Sequence, residues 1–408
     1  MTIHDLVEAM QHIAPLEYAE SWDKVGLLAG DRFKPLSGPV LLTIDLTEPV
    51  LAEAIEKRAS AIIAYHPPIW EPLTKITDAT PRQRIILRAL ESGIAIYSPH
   101  TSLDAVRGGV TEWLCEGLSG SDPANASAAI MAESQGSSQS PTAQQLGTPG
   151  RIAGDCRALT PHSHTPTSQR MKIVTFVPAS AVESVRQALA SAGAGVIGGY
   201  QVCSFTVAGV GTFLGGPGTA PKVGKLGQIE ATQEHRLEMV CARAALALAI
   251  DTLKGFHPYE EPAIDVYELA AQPMRSVGAG RRLVLDKPVT VSELALRLKM
   301  WINRDRVRFA LPDDMDPQKP ISYVGVCPGS GASLSKLAKS EGCEVFVTGE
   351  MGHHDVMGAL NAGMSVILGN HTSTERGYLP RLAAMISLAL PKAQLLISQR
   401  DRDPLTTL

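Results

Sequence analysis

Apolar residues at Ile3, Leu6, Val7, Met10 and Ile13 recur at helical spacing, so the pattern predicts a helix over 3–19. The glycine-bounded loop Ser21-Trp-Asp-Lys-Val-Gly26 follows. Beyond it the apolar positions come in short continuous runs. Residues 40–44, 61–64 and 94–98 read as strands buried on both faces, the form strands take when helices cover a parallel sheet. Helical stretches separate them: one opened by Thr47-Glu-Pro49 and running to Arg58, one over 81–92, and one after Gly108-Gly109 that reaches Leu118. The order β-α-β-α-β-α predicts an α/β half with a parallel-sheet pattern over 1–118.

From 119 to 170 the chain turns to Ser, Ala, Gln, Pro, Thr and Gly. Such a stretch cannot bury enough apolar surface to offset its chain entropy, so 119–170 reads as a flexible linker. His162-Ser-His164 inside it could hold a stray metal or simply face solvent. A new unit is predicted over 171–274. A strand over 172–177, a helix over 178–192 and a glycine-rich turn at 193–199 come first. Strands at 201–207 and 209–214, a strand around 236–240, a helix over 241–254 and a strand over 263–267 follow, which reads as the β-α-β-β-α-β order of a ferredoxin-like unit when 201–214 counts as one strand. This insert interrupts the first fold. Past a hinge at 274–280 the α/β pattern resumes over 275–408, with strands at 321–327, 344–348 and 365–369 and helices at 333–340, 352–361 and 375–389. The two halves run through the same elements, which implies an internal duplication about a pseudo-twofold axis.

Composition narrows the class. A chain of 408 residues exceeds what one core usually organises, so two or three domains are expected. Thirty-seven basic against 41 acidic residues leave a net charge of −4 and no basic stripe, which argues against a nucleic-acid partner. The first twenty residues lack the apolar core of a secretory signal, and the longest apolar stretch, 242–250, is broken by Arg243 and too short to span a bilayer. A cytoplasmic protein without a membrane partner is the expectation. Six cysteines form no Cys-x-x-Cys pair, which suits free buried thiols.

The chemistry gathers at strand ends. His100-Thr-Ser-Leu-Asp104 and His371-Thr-Ser-Thr-Glu375 share one pattern, His-Thr-Ser-x-acid, each directly after an apolar run. Reaction sites in open α/β sheets lie at the carboxyl ends of the strands, so both can face one crevice, together with His66 after the run 61–64. Imidazole with carboxylate suits Zn, Fe, Mn or Ni, and a carboxylate between two ions is the usual bridge of a two-metal site. The residues assign His66 and Asp104 to one ion, His371 to the other, and Glu375 between them. No thiolate lies near these motifs, and so few ligands leave positions open for water, which points to hydrolysis. His100, His353 and His354 are candidates for moving protons or orienting ligands, or they serve as helix caps and core residues. The Thr-Ser pairs either cap helices or bind a ligand. Gly329-Ser-Gly331, between a strand and a helix, reads either as a phosphate-binding turn or as a plain tight turn.

Together, Trp22-Asp-Lys-Val-Gly26, Tyr65-His-Pro-Pro68, His100-Thr-Ser-Leu-Asp104, Thr348-Gly-Glu350 with His353-His354, and Gly369-Asn-His-Thr-Ser-Thr-Glu375 resemble the GTP cyclohydrolase I type 2 homologues, also called Nif-three-like proteins. The insert, with Gly255-Phe-His-Pro-Tyr-Glu-Glu-Pro262, looks like the PII/CutA-like domain of longer members. The resemblance implies two divalent ions between two similar α/β halves, with His66, Asp104, His371 and Glu375 as ligands. It also implies a homohexamer and a hydrolase acting on a nucleotide-like small molecule. A metal-handling or regulatory assembly without turnover is the alternative. Where many bacterial members have His-His-Pro this chain has Tyr65-His66-Pro67, so a phenol replaces one ligand of the second ion or that ligand is missing.

Overall fold

The computed structural model describes residues 1–119, 152, 154–220 and 224–406. It divides into two compact units, one made of 1–162 with 274–408 and the other of 163–273. In chain order the strands are β1 (Gly26–Ala29), β2 (Val40–Thr43), β3 (Ala61–Ala64), β4 (Ala95–Ser98) and β5 (Cys156–His164). Then come β6 (Met171–Val177), β7 (Phe205–Leu214), β8 (Ile229–Cys241) and β9 (Ile264–Glu268). The last are β10 (Gln272–Val289), β11 (Arg308–Ala310), β12 (Ile321–Ser330), β13 (Val345–Glu350), β14 (Ser365–Leu368) and β15 (Leu395–Ile397).

The first unit holds two sheets. One has the order β1-β4-β3-β2-β15, with β1 antiparallel to β4 and the other pairs parallel. Every residue of β2, β3 and β4 is buried, as their uninterrupted apolar runs require. Thr47 and Thr80 cap the helices Glu48–Glu56 and Pro81–Glu91, each hydroxyl accepting the backbone N–H three residues on. The other sheet has the order β11-β14-β13-β12-β10-β5. Here β12, β13 and β14 are parallel, while β11 and β10 run antiparallel to β14 and β12. The paths β1-β4-β3-β2 and β11-β14-β13-β12 are therefore the same, antiparallel edge included.

Three features depart from the sequence reading. The edge strand β1 begins at the last residue of the expected loop and covers residues given no element, and the hinge at 274–280 lies inside the eighteen-residue β10. The linker expected over 119–170 falls mostly outside the described residues, but its end forms β5, with Ala158 and Leu159 buried. Strand propensity depends on what a neighbour supplies, and β10 lies alongside β5 as its sheet partner.

One apolar core runs through both halves of this unit, from Leu6, Met10 and Leu114 to Leu294, Leu298 and Leu382. Gly117 permits its close packing, because a Cβ there would come within 2.2 Å of the Trp301 indole. The fully buried Arg281 ties the halves together. Its guanidinium donates to Glu112 at 3.0 Å and to the carbonyls of Ala105 and Val106 at 2.8 and 3.1 Å. It also reaches the carbonyls of Ser276, Gly278 and Gly280.

The second unit runs β-α-β-β-α-β, with helices Val182–Ser191 and Leu246–Phe256 and an antiparallel sheet of order β7-β8-β6-β9. Its core joins Ile173, Val185, Leu189, Leu237, Met239 and Leu253. All six cysteines are free thiols. Among the described residues no helix is long and apolar enough to cross a membrane.

Candidate metal centre

The parallel strands of both halves deliver their polar groups to a cavity of about 690 Å³. Tyr65 and His66 follow β3, His100 follows β4, Glu350 ends β13, and His371 follows β14; all line it, as do Asp104 and Glu375. Carboxyl ends of parallel strands collect ligand groups because the chain must turn there, freeing side chains from the sheet.

Three residues converge. The ligand atoms of His66, His371 and Glu375 all lie within 4.8 Å of one another. His66 Nε2 stands 3.4 Å from Glu375 Oε2, and His371 Nε2 stands 3.4 Å from Glu375 Oε1. The opposite nitrogen of each ring is engaged: His66 Nδ1 meets Asp45 Oδ1 at 2.9 Å, and His371 Nδ1 meets Glu350 Oε1 at 2.8 Å. A carboxylate on the far nitrogen of a histidine fixes its tautomer and orientation and raises its basicity toward a ligand. Both Nε2 atoms are thereby held toward one buried glutamate.

The remaining sequence candidates divide. Asp104 lies in the same cavity, where its Oδ1 accepts the Tyr65 phenol at 2.6 Å; it is outside the group of three. His100 lines the cavity with its Nδ1 held by Asp23 at 2.8 Å, and its ring centroid lies 5.4 Å from that of His66. His353 and His354 open the helix His353–Asn361 as exposed residues and do not line the cavity. Gly329 and Ser330 close β12 rather than forming the expected turn, and the two glycine amides are already used, which argues against a phosphate cradle. Gly329 N–H donates to Thr374 Oγ1 at 2.9 Å and Gly331 N–H to Thr348 Oγ1 at 3.0 Å. Gly329 has φ +58°, and a Cβ there would meet Glu375 Oε1 at 2.4 Å and His371 Nε2 at 3.1 Å.

The electrostatics follow from burial and pairing. Burial alone would lower the His66 pKa, but the carboxylates of Asp45 and Glu375 outweigh it and push it up to about 10. Asp45 is held low because His66 overcomes the cost of burial. Asp23 is likewise held low, by His100 and Thr101 against burial. Burial pushes Asp104 up to about 7, with the charge of His100 and the Tyr65 hydrogen bond acting the other way. Tyr65 is raised well above its ordinary value by burial and then by Asp104. A phenol so raised keeps its proton and donates it to Asp104.

These residues fit a divalent ion. Glu375 Oε2 is buried with no hydrogen-bond partner and no neighbour closer than His66 Nε2 at 3.4 Å, and a divalent ion seated among these donors would satisfy it. Two imidazole nitrogens and a carboxylate are a donor set for Zn, Fe, Mn or Ni. The absence of a Cβ at Gly329 keeps open the space between Glu375 and His371.

Four further residues were missed as participants. Asp45 follows β2 as His66 follows β3, so its place at a strand's carboxyl end was the available signal. Asp23 stands in the loop Trp22-Asp-Lys-Val-Gly26 but meets His100 across 77 residues. Trp70 lines the cavity just past Tyr65-His-Pro-Pro68, and nothing local marks it. Cys327, on β12, also lines the cavity, although no sulfur is expected near these motifs. Burial, then Asp104 and Glu375, raise its thiol, and its sulfur lies outside the group of three converging ligand atoms.

The family model for Duf34/NIF3 (NGG1p interacting factor 3) matches residues 1–404. The chain is 31% identical over 406 residues to a Bacillus subtilis protein named GTP cyclohydrolase 1 type 2 homolog, covering 99% of this chain and 98% of that one. It is 30% identical over 410 residues to NIF3-like protein 1 of Homo sapiens, covering 99% and 92%. Among solved structures, Staphylococcus aureus protein SA1388 matches with a TM-score of 0.71 at 25% identity, over 100% of this chain and 99% of that one. A Bacillus cereus protein related to NIF3 matches with a TM-score of 0.62 at 28% identity, over the same shares.

Proposed function

This chain belongs to the Duf34/NIF3 family, and from that premise we propose that it is a dinuclear divalent-metal protein whose centre hydrolyses a nucleotide-like small molecule. His66, Asp104, His371 and Glu375 would hold the two ions, with Glu375 the ligand common to both. The observation that carries this reading is the Glu375 carboxylate, each of its oxygens 3.4 Å from a different histidine Nε2 and one of them otherwise unpartnered. When bound, such ions supply Lewis acidity and activate water. Asp45 and Glu350 keep the two imidazoles oriented. Asp104 Oδ1 accepts the hydrogen bond of the Tyr65 phenol, so the phenol in place of a second histidine orients this carboxylate. His100, with Nδ1 held by Asp23, keeps Nε2 for exchanging a proton with substrate.

The rest of the reading follows the family. The chain assembles as a homohexamer in the cytoplasm. The unit 163–273 is a PII/CutA-like, ferredoxin-like insert, supported by its β-α-β-β-α-β order and the sheet order β7-β8-β6-β9.

Elemental analysis of purified protein, followed by a hydrolysis screen over nucleotides and nucleosides, tests the proposal. Metal should be present in the native protein, chelation should abolish turnover, and Glu375→Ala should strip the metal. Metal-replete protein that converts nothing in the screen overturns the hydrolytic half. Metal passed to an acceptor protein without conversion would replace it with metal handling.

A further inference from the structure

The cavity beside the metal cluster has an aromatic wall that the ligand groups do not explain. Trp22 and Trp70 both line it, and their rings are nearly parallel, 18° apart with centroids at 6.2 Å. Both are exposed, at 56% and 39%. His100 stands edge-on to each, with centroids at 6.0 Å from Trp22 and 5.2 Å from Trp70. Two exposed indoles at the mouth of a polar cavity leave flat apolar faces in water, where a planar ring can stack. A second, independent observation also points to a ligand. Thr372 is only 7% exposed, lines the same cavity, and its hydroxyl has no hydrogen-bond partner. A buried hydroxyl left unpaired is costly, and a ligand atom in the cavity would satisfy it.

The charge of the lining narrows the ligand further. Glu20, Asp45, Asp104, Glu350, Glu375 and Asp403 contribute six carboxyl groups, and among the described residues no Lys or Arg lines the cavity. The amides of Gly329 and Gly331, which could have cradled a phosphate, are already bonded to threonine hydroxyls. A polyphosphate would therefore find no lysine or arginine and no free glycine amide at this turn, and most of its charge would fall on the metal ions.

We propose that Trp22 and Trp70 form a stacking platform for an uncharged heteroaromatic ring of nucleoside size, with Thr372 hydrogen-bonding it, so that the site takes a nucleoside rather than a free nucleoside triphosphate. This deepens the hydrolytic reading and rests on it for the reaction, but the binding step stands apart from the metal. Thr372 lies next to His371, so the ring and the metal-ligand cluster share one chamber. The platform sets the ligand class and the cluster sets the chemistry.

The test uses the full-length protein, zinc-loaded and EDTA-treated, titrated with guanosine, adenosine and GTP by calorimetry and by quenching of tryptophan fluorescence. Trp22→Leu and Trp70→Leu change exposed side chains and should leave the fold intact, which circular dichroism checks. A nucleoside should quench the native protein, and each leucine variant should weaken its binding by roughly tenfold or more. EDTA treatment should leave nucleoside binding in place and make GTP the weaker ligand. Unchanged affinity in both leucine variants, no binding by either nucleoside, or tighter GTP binding in metal-free protein would each overturn the proposal. Zinc content, measured on the same samples and on Glu375→Ala, reports separately on the metal centre.

Discussion

The two His-Thr-Ser-x-acid segments occupy the same position in sheets of the same order, after β4 and after β14, yet they do different work. His371 turns Nε2 to Glu375, and Glu375 reaches across to His66. His100 is instead tied to Asp23 and flanked by Trp22 and Trp70, while Asp104 accepts a phenol. Part of the difference is local. In the second half Asn370 takes the left-handed backbone conformation, φ +68°, which asparagine tolerates. The matching residue in the first half is Pro99, whose ring holds φ at −89°, so the left-handed residue falls one place later, on His100 at φ +32°. The other part comes from the neighbouring strand. Beside His100, β3 delivers Tyr65 and His66; beside His371, β13 delivers Glu350. A duplicated motif thus supplies the position of a side chain, and its neighbours decide the role.

The comparison is broken most severely by separating the halves. Arg281→Met leaves Glu112 buried without its cation and frees the carbonyls of Ala105 and Val106, just past Asp104. It should cost about 3–5 kcal/mol of stability in denaturant unfolding. Loss of less than about 1 kcal/mol would show that the apolar core alone aligns the halves.

The next effect compares the halves directly. Asp45→Asn and Glu350→Gln remove the orienting carboxylate from one histidine each. Each should weaken metal binding by roughly 10–100-fold, read by competition with a chelating dye. A loss confined to one variant would mean that only one half builds the centre.

The smallest effect concerns β15, which comes from the second half but pairs with β2 of the first. Glu53 secures the chain after it, accepting from the Ser398 hydroxyl and from the amides of Gln399 and Arg400. Burial would raise the Glu53 pKa, but these donors outweigh it and hold it low. Its contribution is therefore present above the ordinary glutamate pKa of about 4.3 and is lost as pH falls through the lower folded-state value. Glu53→Gln should cost about 1 kcal/mol at neutral pH and flatten the fall in stability on the acid side, followed by thermal unfolding across pH.

Much of the fold is written locally. The runs 40–44, 61–64 and 365–369 are apolar without alternation and become strands buried on every residue, because that pattern can satisfy only a covered sheet. Threonines 47 and 80 announce helix starts because a cap bonds within three residues. The His-Thr-Ser-x-acid repeat shows where polar groups leave the sheet, and the family resemblance rests on such strings. The polar strand β5 and the short edge β1 are not legible this way, since each is a strand only because a neighbour pairs with it.

What tertiary structure alone decided is the pairing of those groups. Asp23 finds His100, Asp45 finds His66, Cys327 comes to line the cavity, and Trp22 lies against Trp70, while His353 and His354 stay outside. Hydrophobic period and capping act over a few residues, so one sequence position carries their signal. A side chain's partner across 77 residues depends on strand order, on which residue takes a left-handed turn and on which face is buried, and these are settled only when the sheets close.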